Sequence, residues 1–242
     1  MNNGKLAICV PSRGRPLAFA RFLDSFLETS DGAADVLLRN GEADPTKDEY
    51  AVFEDVPGLI RVVGTDEGFN SVSGNAGYNC AQQDLYERFP DYSAYLSIED
   101  DCVLHTRGFD TQLLSMLDDF PGRVGCLHLY DRAQTIHVMC VSAEWCSALG
   151  WFFDPQVGEQ GFNQMLNLAQ RAPAQFAKAV SVQFTHFPHL RSYGYTGNER
   201  AGALEQPAVV RSFYDQEAML NDWMHNRAHA DKAKLVAKAG LS

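Results

Sequence analysis

Three acids stand in a row at Glu99-Asp100-Asp101, directly after the apolar run Tyr95-Leu96-Ser97-Ile98 and directly before Cys102-Val103-Leu104. Adjacent carboxylates repel one another, and each is costly to desolvate unpaired. A divalent cation relieves both penalties, because hard cations take carboxylate oxygens. The stretch predicts a site in which Asp101 and a neighbouring acid hold a metal and the metal holds a phosphate. A solvated acidic turn after a strand fits the spacing equally well.

A second stretch bears on that choice. Pro11-Ser12-Arg13-Gly14-Arg15-Pro16 follows the apolar run Leu6-Ala7-Ile8-Cys9-Val10 and precedes apolar positions at Leu17, Phe19, Phe22, Leu23, Phe26 and Leu27. A continuous apolar run reads as a strand buried on both faces, and the later spacing is helical. Loops at the carboxyl ends of such strands bind ligands in doubly wound sheets. Arg13 and Arg15 could meet a diphosphate there; as isolated residues they read equally as solvated loop arginines. The loop is neither a Walker loop nor a GxGxxG turn.

The elements between and beyond these stretches follow the same alternation. Strands are expected at 36–38, 59–63 and 95–98, with a short helix at 47–53 and helices at 73–86 and 108–119. Small residues at Gly74, Asn75 and Gly77 would let a ligand approach the first turn of the 73–86 helix, whose free N–H groups favour negative charge. Further strands are expected at 124–130, 136–141 and 179–184. Ser142 is placed to cap a helix over 143–149, with Gly150 just past its end. A helix is expected at 160–170, a Gly/Tyr loop at 193–198, and one or two helices in 208–241 anchored by Trp223 and Met224. The β-α alternation argues for an α/β fold with a mostly parallel sheet, joined later by an antiparallel strand. Trp151-Phe152-Phe153 reads as core packing or as an aromatic platform for an acceptor. His128 and His137 fall within strand runs and read as packed or half-exposed side chains.

Composition narrows the class. The chain has 242 residues, 45% hydrophobic and 21% charged, as in soluble globular proteins. A net charge of −11 argues against a broad nucleic-acid surface. Arg191, Arg200, Arg211 and the 227–238 tail could still supply a local basic site. Six scattered cysteines without a CxxC pair predict reduced thiols and a cytoplasmic protein. No signal peptide is expected, and no apolar run approaches the roughly 18 residues that span a membrane.

Taken in order, these stretches resemble the GT-A-fold glycosyltransferases, most closely the family-two group that uses nucleotide sugars. Ile8-Cys9-Val10-Pro11-Ser12-Arg13-Gly14-Arg15-Pro16 resembles the opening strand and loop, and Ser73-Gly74-Asn75-Ala76-Gly77 the Arg-Asn-x-Gly helix start with Gly74 for the arginine. Glu99-Asp100-Asp101 resembles the acidic metal motif, and Leu149-Gly150-Trp151-Phe152-Phe153-Asp154 with Gly158-Glu159-Gln160 the segment bordering the acceptor site. The resemblance covers roughly residues 5–190, in order. It implies a GT-A (Rossmann-like) mixed, mostly parallel sheet flanked by helices. The catalytic domain would span 1–190, with a nucleotide half at 1–104 and an acceptor half at 105–190, and 191–242 would form a C-terminal loop and helical extension.

The resemblance also implies roles. A Mn2+ or Mg2+ ion would sit on Asp101 with His186, and with Glu99 as a further acid. A nucleoside-diphosphate sugar, with a UDP-sugar as the expected donor, would meet Pro11, Ser12, Arg13, Arg15, Asn75 and Asp100, and Asn40 would stand where the family reads the base. The acceptor would be a glycan, small molecule, protein or modified DNA. The family's base position holds Gln160, which takes no proton at neutral pH; either the base has shifted, with Glu159 the nearest substitute and Asp154 the next, or the reaction is a retaining one that uses no base there. A nucleotidyltransferase on a similar fold is an alternative that the glycine-poor first loop opposes. An inactive nucleotide-sugar-binding module is another, supported by Gln160.

Overall fold

The structure is a computed structural model that describes residues 4–65, 74–130, 137–154, 161–187, 220 and 222–241. Strand β1 (Leu6–Pro11) is buried along its whole length. Its side chains alternate between faces, as the pleat requires: Leu6, Ile8 and Val10 join one core cluster, Ala7 and Cys9 the other. A strand buried on both faces needs helices on both sides of its sheet.

Helix α1 (Pro16–Thr29) supplies one cover. It starts on a proline, whose fixed φ suits the first helical position, and it buries Phe19, Phe22, Leu23 and Phe26. Burying each of these side chains contributes about 1.5–3 kcal/mol. Strand β2 (Ala34–Gly41), the 3-10 turn Lys47–Phe53 and strand β3 (Leu59–Gly64) follow. Helix α2 (Gly74–Arg88) then crosses to β4 (Ala94–Ser97). A short β5 (Cys102–Leu104) leads to α3 (Phe109–Asp118), β6 (Cys126–Tyr130) and β7 (His137–Ser142). Helix α4 (Ala143–Leu149) begins where Ser142 Oγ accepts the Trp145 N–H and ends at Gly150 in the left-handed region, as the sequence predicts. Helix α5 (Gly161–Arg171), strands β8 (Phe176–Lys178) and β9 (Phe184–His186), and helix α6 (Ala228–Lys238) complete the described chain.

The main sheet has the order β3-β2-β1-β4-β7-β6-β8. β7 runs antiparallel to both neighbours and the other pairs are parallel, so the expected antiparallel strand is present. α1, α3 and the Lys47–Phe53 turn cover one face; α2, α4, α5 and α6 cover the other. Trp223 is buried in the second cluster and Met224 packs against it. No described helix is long and apolar enough to cross a membrane. All six cysteines are free thiols.

One strand expectation fails. The run 179–183 is not a strand: it turns between β8 and β9, which begins at Phe184, with Val182 N–H donating to the Ala179 carbonyl. Val180 points into solvent while Ala179 and Val182 fill the core. Alternating apolar residues imitate a strand here, and the real strands lie on either side.

Candidate active site

The sheet order reverses direction at β1: β2 and β3 extend to one side of it, β4 to the other. The crevice at the carboxyl ends of such a pair is where open α/β sheets take ligands. Ser12 leaves β1 at that edge, and Glu99, Asp100 and Asp101 leave β4 beside it.

A directed chain of hydrogen bonds ties the two loops together. The Arg15 backbone N–H donates to the Tyr50 hydroxyl at 3.0 Å, and Tyr50 and Ser12 hydroxyls meet at 2.7 Å. Ser12 Oγ donates to Asp100 Oδ2 at 2.5 Å, so Tyr50 is the donor to Ser12. The Arg15 guanidinium bridges both acids, with Nη2 2.5 Å from Asp100 Oδ1 and Nη1 3.0 Å from Asp101 Oδ2. Asp100 is fully buried. Burial pushes its carboxyl up to about 7, against the lowering pull of Arg15 and Ser12. Burial acts on Asp101 too, yet His186 and Arg15 outweigh it and hold that carboxyl below its ordinary value.

The second, two-stranded sheet brings His186 to the acids. β5 pairs antiparallel with β9, setting Cys102 opposite His186, and the Phe187 N–H donates to the Asp101 carbonyl at 3.1 Å. His186 Nε2 then lies 3.4 Å from both Glu99 Oε2 and Asp101 Oδ1. Burial alone would lower the imidazole, but the two carboxylates raise it to about 9. Glu99, Asp101 and His186 each offer a ligand atom, all within 4.8 Å of one another. One ion with ligand distances of about 2–2.5 Å can touch atoms that far apart. Among the described residues Asp101 Oδ1 is buried without a hydrogen bond, and it faces this cluster. Two oxygens and one imidazole nitrogen suit Mn2+ or Mg2+ with remaining positions open.

The other predicted residues are placed as follows. Pro11 is buried as the last residue of β1, and Arg13 is half-buried in the same loop. Asn75 lies in the first turn of α2. Asn40 is fully buried with both ends of its amide occupied: Nδ2 donates to the Ser12 carbonyl at 3.0 Å and Oδ1 accepts from Arg61 Nε at 2.9 Å. This corrects its reading as a base contact, since the amide braces the first loop instead. Asp154 is 2% exposed, accepts from Gln164 Nε2 at 3.1 Å and lies 3.0 Å from Arg227 Nη2. A base must reach its proton, and this carboxylate is buried and held by Gln164 and Arg227. Glu159, Gln160, Arg191, Arg200 and Arg211 lie outside the described residues. Trp151, Phe152 and Phe153 are core residues, and the Phe152 and Phe153 N–H groups both donate to Gln83 Oε1. An aromatic acceptor platform is not what these side chains form. His128 is buried against Phe176.

Sequence reasoning missed two residues that shape the site. Tyr50 read only as part of a short helix, and nothing in its neighbourhood shows that its hydroxyl reaches Ser12. Asp44 is buried in the turn before that helix, and its Oδ2 accepts the Gly14 N–H at 3.2 Å. The Asp44-Pro45-Thr46 turn was legible, and its grip on the first loop was not.

No family model matches the sequence, and no curated protein matches it. Solved structures do match. A mannosyltransferase from Pyrobaculum calidifontis in complex with GDP-Man and Mn2+ aligns over 97% of this chain and 73% of its own, with a TM-score of 0.58 at 13% identity. The chain has the GT-A fold. Another GT-A structure, glucosyl-3-phosphoglycerate synthase from Mycobacterium tuberculosis with Mn2+, UDP and phosphoglyceric acid, aligns over 99% of this chain and 80% of its own (TM-score 0.52, 12% identity). A Bacillus anthracis protein described as a glucose-1-phosphate thymidylyltransferase aligns over 84% of this chain and 96% of its own (TM-score 0.50, 9% identity). At 9–13% identity the likeness is one of fold.

Proposed function

We propose that the chain is a metal-dependent glycosyltransferase that moves a sugar from a nucleoside-diphosphate sugar, with a UDP-sugar as the expected donor, to an acceptor hydroxyl. The observation that carries this reading is the Glu99–Asp101–His186 cluster at the carboxyl edge of β4, beside the Ser12–Arg15 loop. GT-A neighbours with Mn2+ and GDP-Man or UDP in the same complex support it. The thymidylyltransferase neighbour shares the fold, but nucleotidyltransferases of that kind resemble one another in a glycine-rich basic first loop, and Ser12-Arg13-Gly14-Arg15 has one glycine.

In this reading Asp101 and His186 hold the cation, with Glu99 as the third ligand. The bound cation supplies Lewis-acid neutralisation of the departing diphosphate. Asp100 is fully buried between Ser12 and Arg15, which corrects its reading as a nucleotide contact: it braces the first loop, and that limits the rearrangement needed on binding. Glu159 takes the acceptor proton in an inverting reaction, replacing the side chain that Gln160 cannot supply.

The test uses the full chain with Mn2+ and a panel of UDP- and GDP-sugars, following release of nucleoside diphosphate. Metal-dependent release supports the transferase. Pyrophosphate release from a nucleoside triphosphate and a sugar phosphate would reassign the chain as a nucleotidyltransferase, and binding without turnover would make it a binding module. Asp101→Ala is expected to abolish metal-dependent donor binding with the fold retained. Unchanged Mn2+-dependent turnover in that variant would sink the assignment.

A further inference from the structure

The arginine between the two acids has a more specific role than a solvated or phosphate-binding loop residue would have. Asp101 presents its oxygens to different partners: Oδ2 accepts from Arg15 Nη1 at 3.0 Å, while Oδ1 is buried, has no hydrogen bond among the described residues and faces His186 Nε2 at 3.4 Å. The other guanidinium nitrogen is committed to Asp100, and the Arg15 backbone to Tyr50. Both terminal nitrogens of the Arg15 guanidinium are therefore turned to the acidic stretch, with about a third of the side chain exposed. We propose that Arg15 is a positioning residue: it grips Asp101 by one oxygen so that the other faces Glu99 and His186, and it does not itself bind the diphosphate. The inference rests on the metal-dependent reading above.

Outer partners of this kind fix the orientation of a ligating carboxylate, and their loss costs metal affinity. The planar fork of arginine suits two neighbouring carboxylates in a way that an ammonium does not. Tyr50 and Ser12 complete the clamp by fixing the loop from which Arg15 extends and the second acid it holds.

The experiment measures two affinities separately on the full chain: Mn2+ alone, by the electron paramagnetic signal of the free ion, and UDP or GDP alone in chelator, by calorimetry. Arg15→Met is expected to weaken Mn2+ binding by about 10–100-fold. The direction is informative, because removing a positive charge would by itself strengthen cation binding. Metal-free nucleotide binding is expected to stay at the wild-type level. Arg15→Lys is expected to recover only part of the Mn2+ affinity. Unchanged or tighter Mn2+ binding in Arg15→Met overturns the proposal. Loss of metal-free nucleotide affinity also overturns it, since Arg15 would then be a diphosphate ligand. If Arg15→Met fails to fold, Arg15→Lys decides: weakened Mn2+ binding supports the clamp and wild-type affinity rejects it. A wild-type chain that binds no Mn2+, with or without nucleotide, fails the metal reading itself, whereas normal wild-type binding with an indifferent Arg15→Met fails the clamp alone.

Discussion

At the scale of single residues, the site is a competition among charges for Asp101. In the metal-free chain its carboxylate is shared by Arg15 and His186, and His186 is shared by Asp101 and Glu99. The imidazole is consequently raised to about 9. A cation needs that nitrogen unprotonated, so binding must release a proton. Mn2+ affinity is expected to rise about tenfold per pH unit between pH 7 and 8 and to level off near pH 9. His186→Ala should lose most of that slope, and a flat profile in the wild type would exclude His186 as a ligand. The linkage to folding has the opposite sense in the metal-free chain. A histidine whose folded value lies above its unfolded 6.5 stabilises fully below pH 6.5, and that contribution is lost as pH rises through about 9. Adding Mn2+ should reduce this loss at alkaline pH, because the cation takes over the carboxylates as the proton leaves. Which acid stands beside His186 was legible only in outline from three adjacent carboxylates. Asp100 and Asp101 are neighbours of one type, and what separates them is that Ser12 reaches one and His186 the other, contacts made across 88 and 85 residues of chain.

Among the elements, the alternation of buried strands and amphipathic helices was plain in the sequence because each is encoded within a dozen residues. Leu6–Pro11, the Lys47–Phe53 turn and the Ser142-capped helix all lie where local pattern puts them. The β5–β9 pair was not legible. Three-residue strands carry no periodicity of their own, and their register depends on the β8–β9 turn, which resembles a strand in sequence. The docking of the C-terminal segment was only half legible. Trp223 reads as an anchor, but its Nε1 bond to buried Asp231 at 2.8 Å and the Arg227–Asp154 contact are products of the fold. These contacts make α6 part of the second core cluster, with Trp145 and Met165. Trp223→Ala is expected to lower unfolding free energy by about 3–5 kcal/mol in urea titration, through lost burial and a cavity. A change below about 1 kcal/mol would mean that α6 is a peripheral addition.

For the whole molecule, the decisive property is that an acidic chain, with a net charge of −11, concentrates three of its carboxylates at one edge of the sheet. Part of the folded state's electrostatic cost is thus local: Asp100 is buried at an elevated pKa, and Asp101 Oδ1 is buried with His186 facing it at 3.4 Å. A cation that binds only this arrangement should stabilise the entire fold, because the unfolded chain does not bring residues 99, 101 and 186 together. At a Mn2+ concentration about 100 times its dissociation constant, linkage gives roughly 2.7 kcal/mol. For a chain of this size that corresponds to a rise in Tm of roughly 5–10 °C. Scanning calorimetry at increasing Mn2+ should show the midpoint climbing with the logarithm of concentration, and Asp101→Ala should remove the climb. The Arg15→Met variant should shift the same curve to higher Mn2+ without changing its slope, since a clamp sets affinity and leaves the number of bound ions alone. A midpoint that ignores Mn2+ in the wild type would place the cation, and with it the proposed chemistry, elsewhere than Glu99, Asp101 and His186.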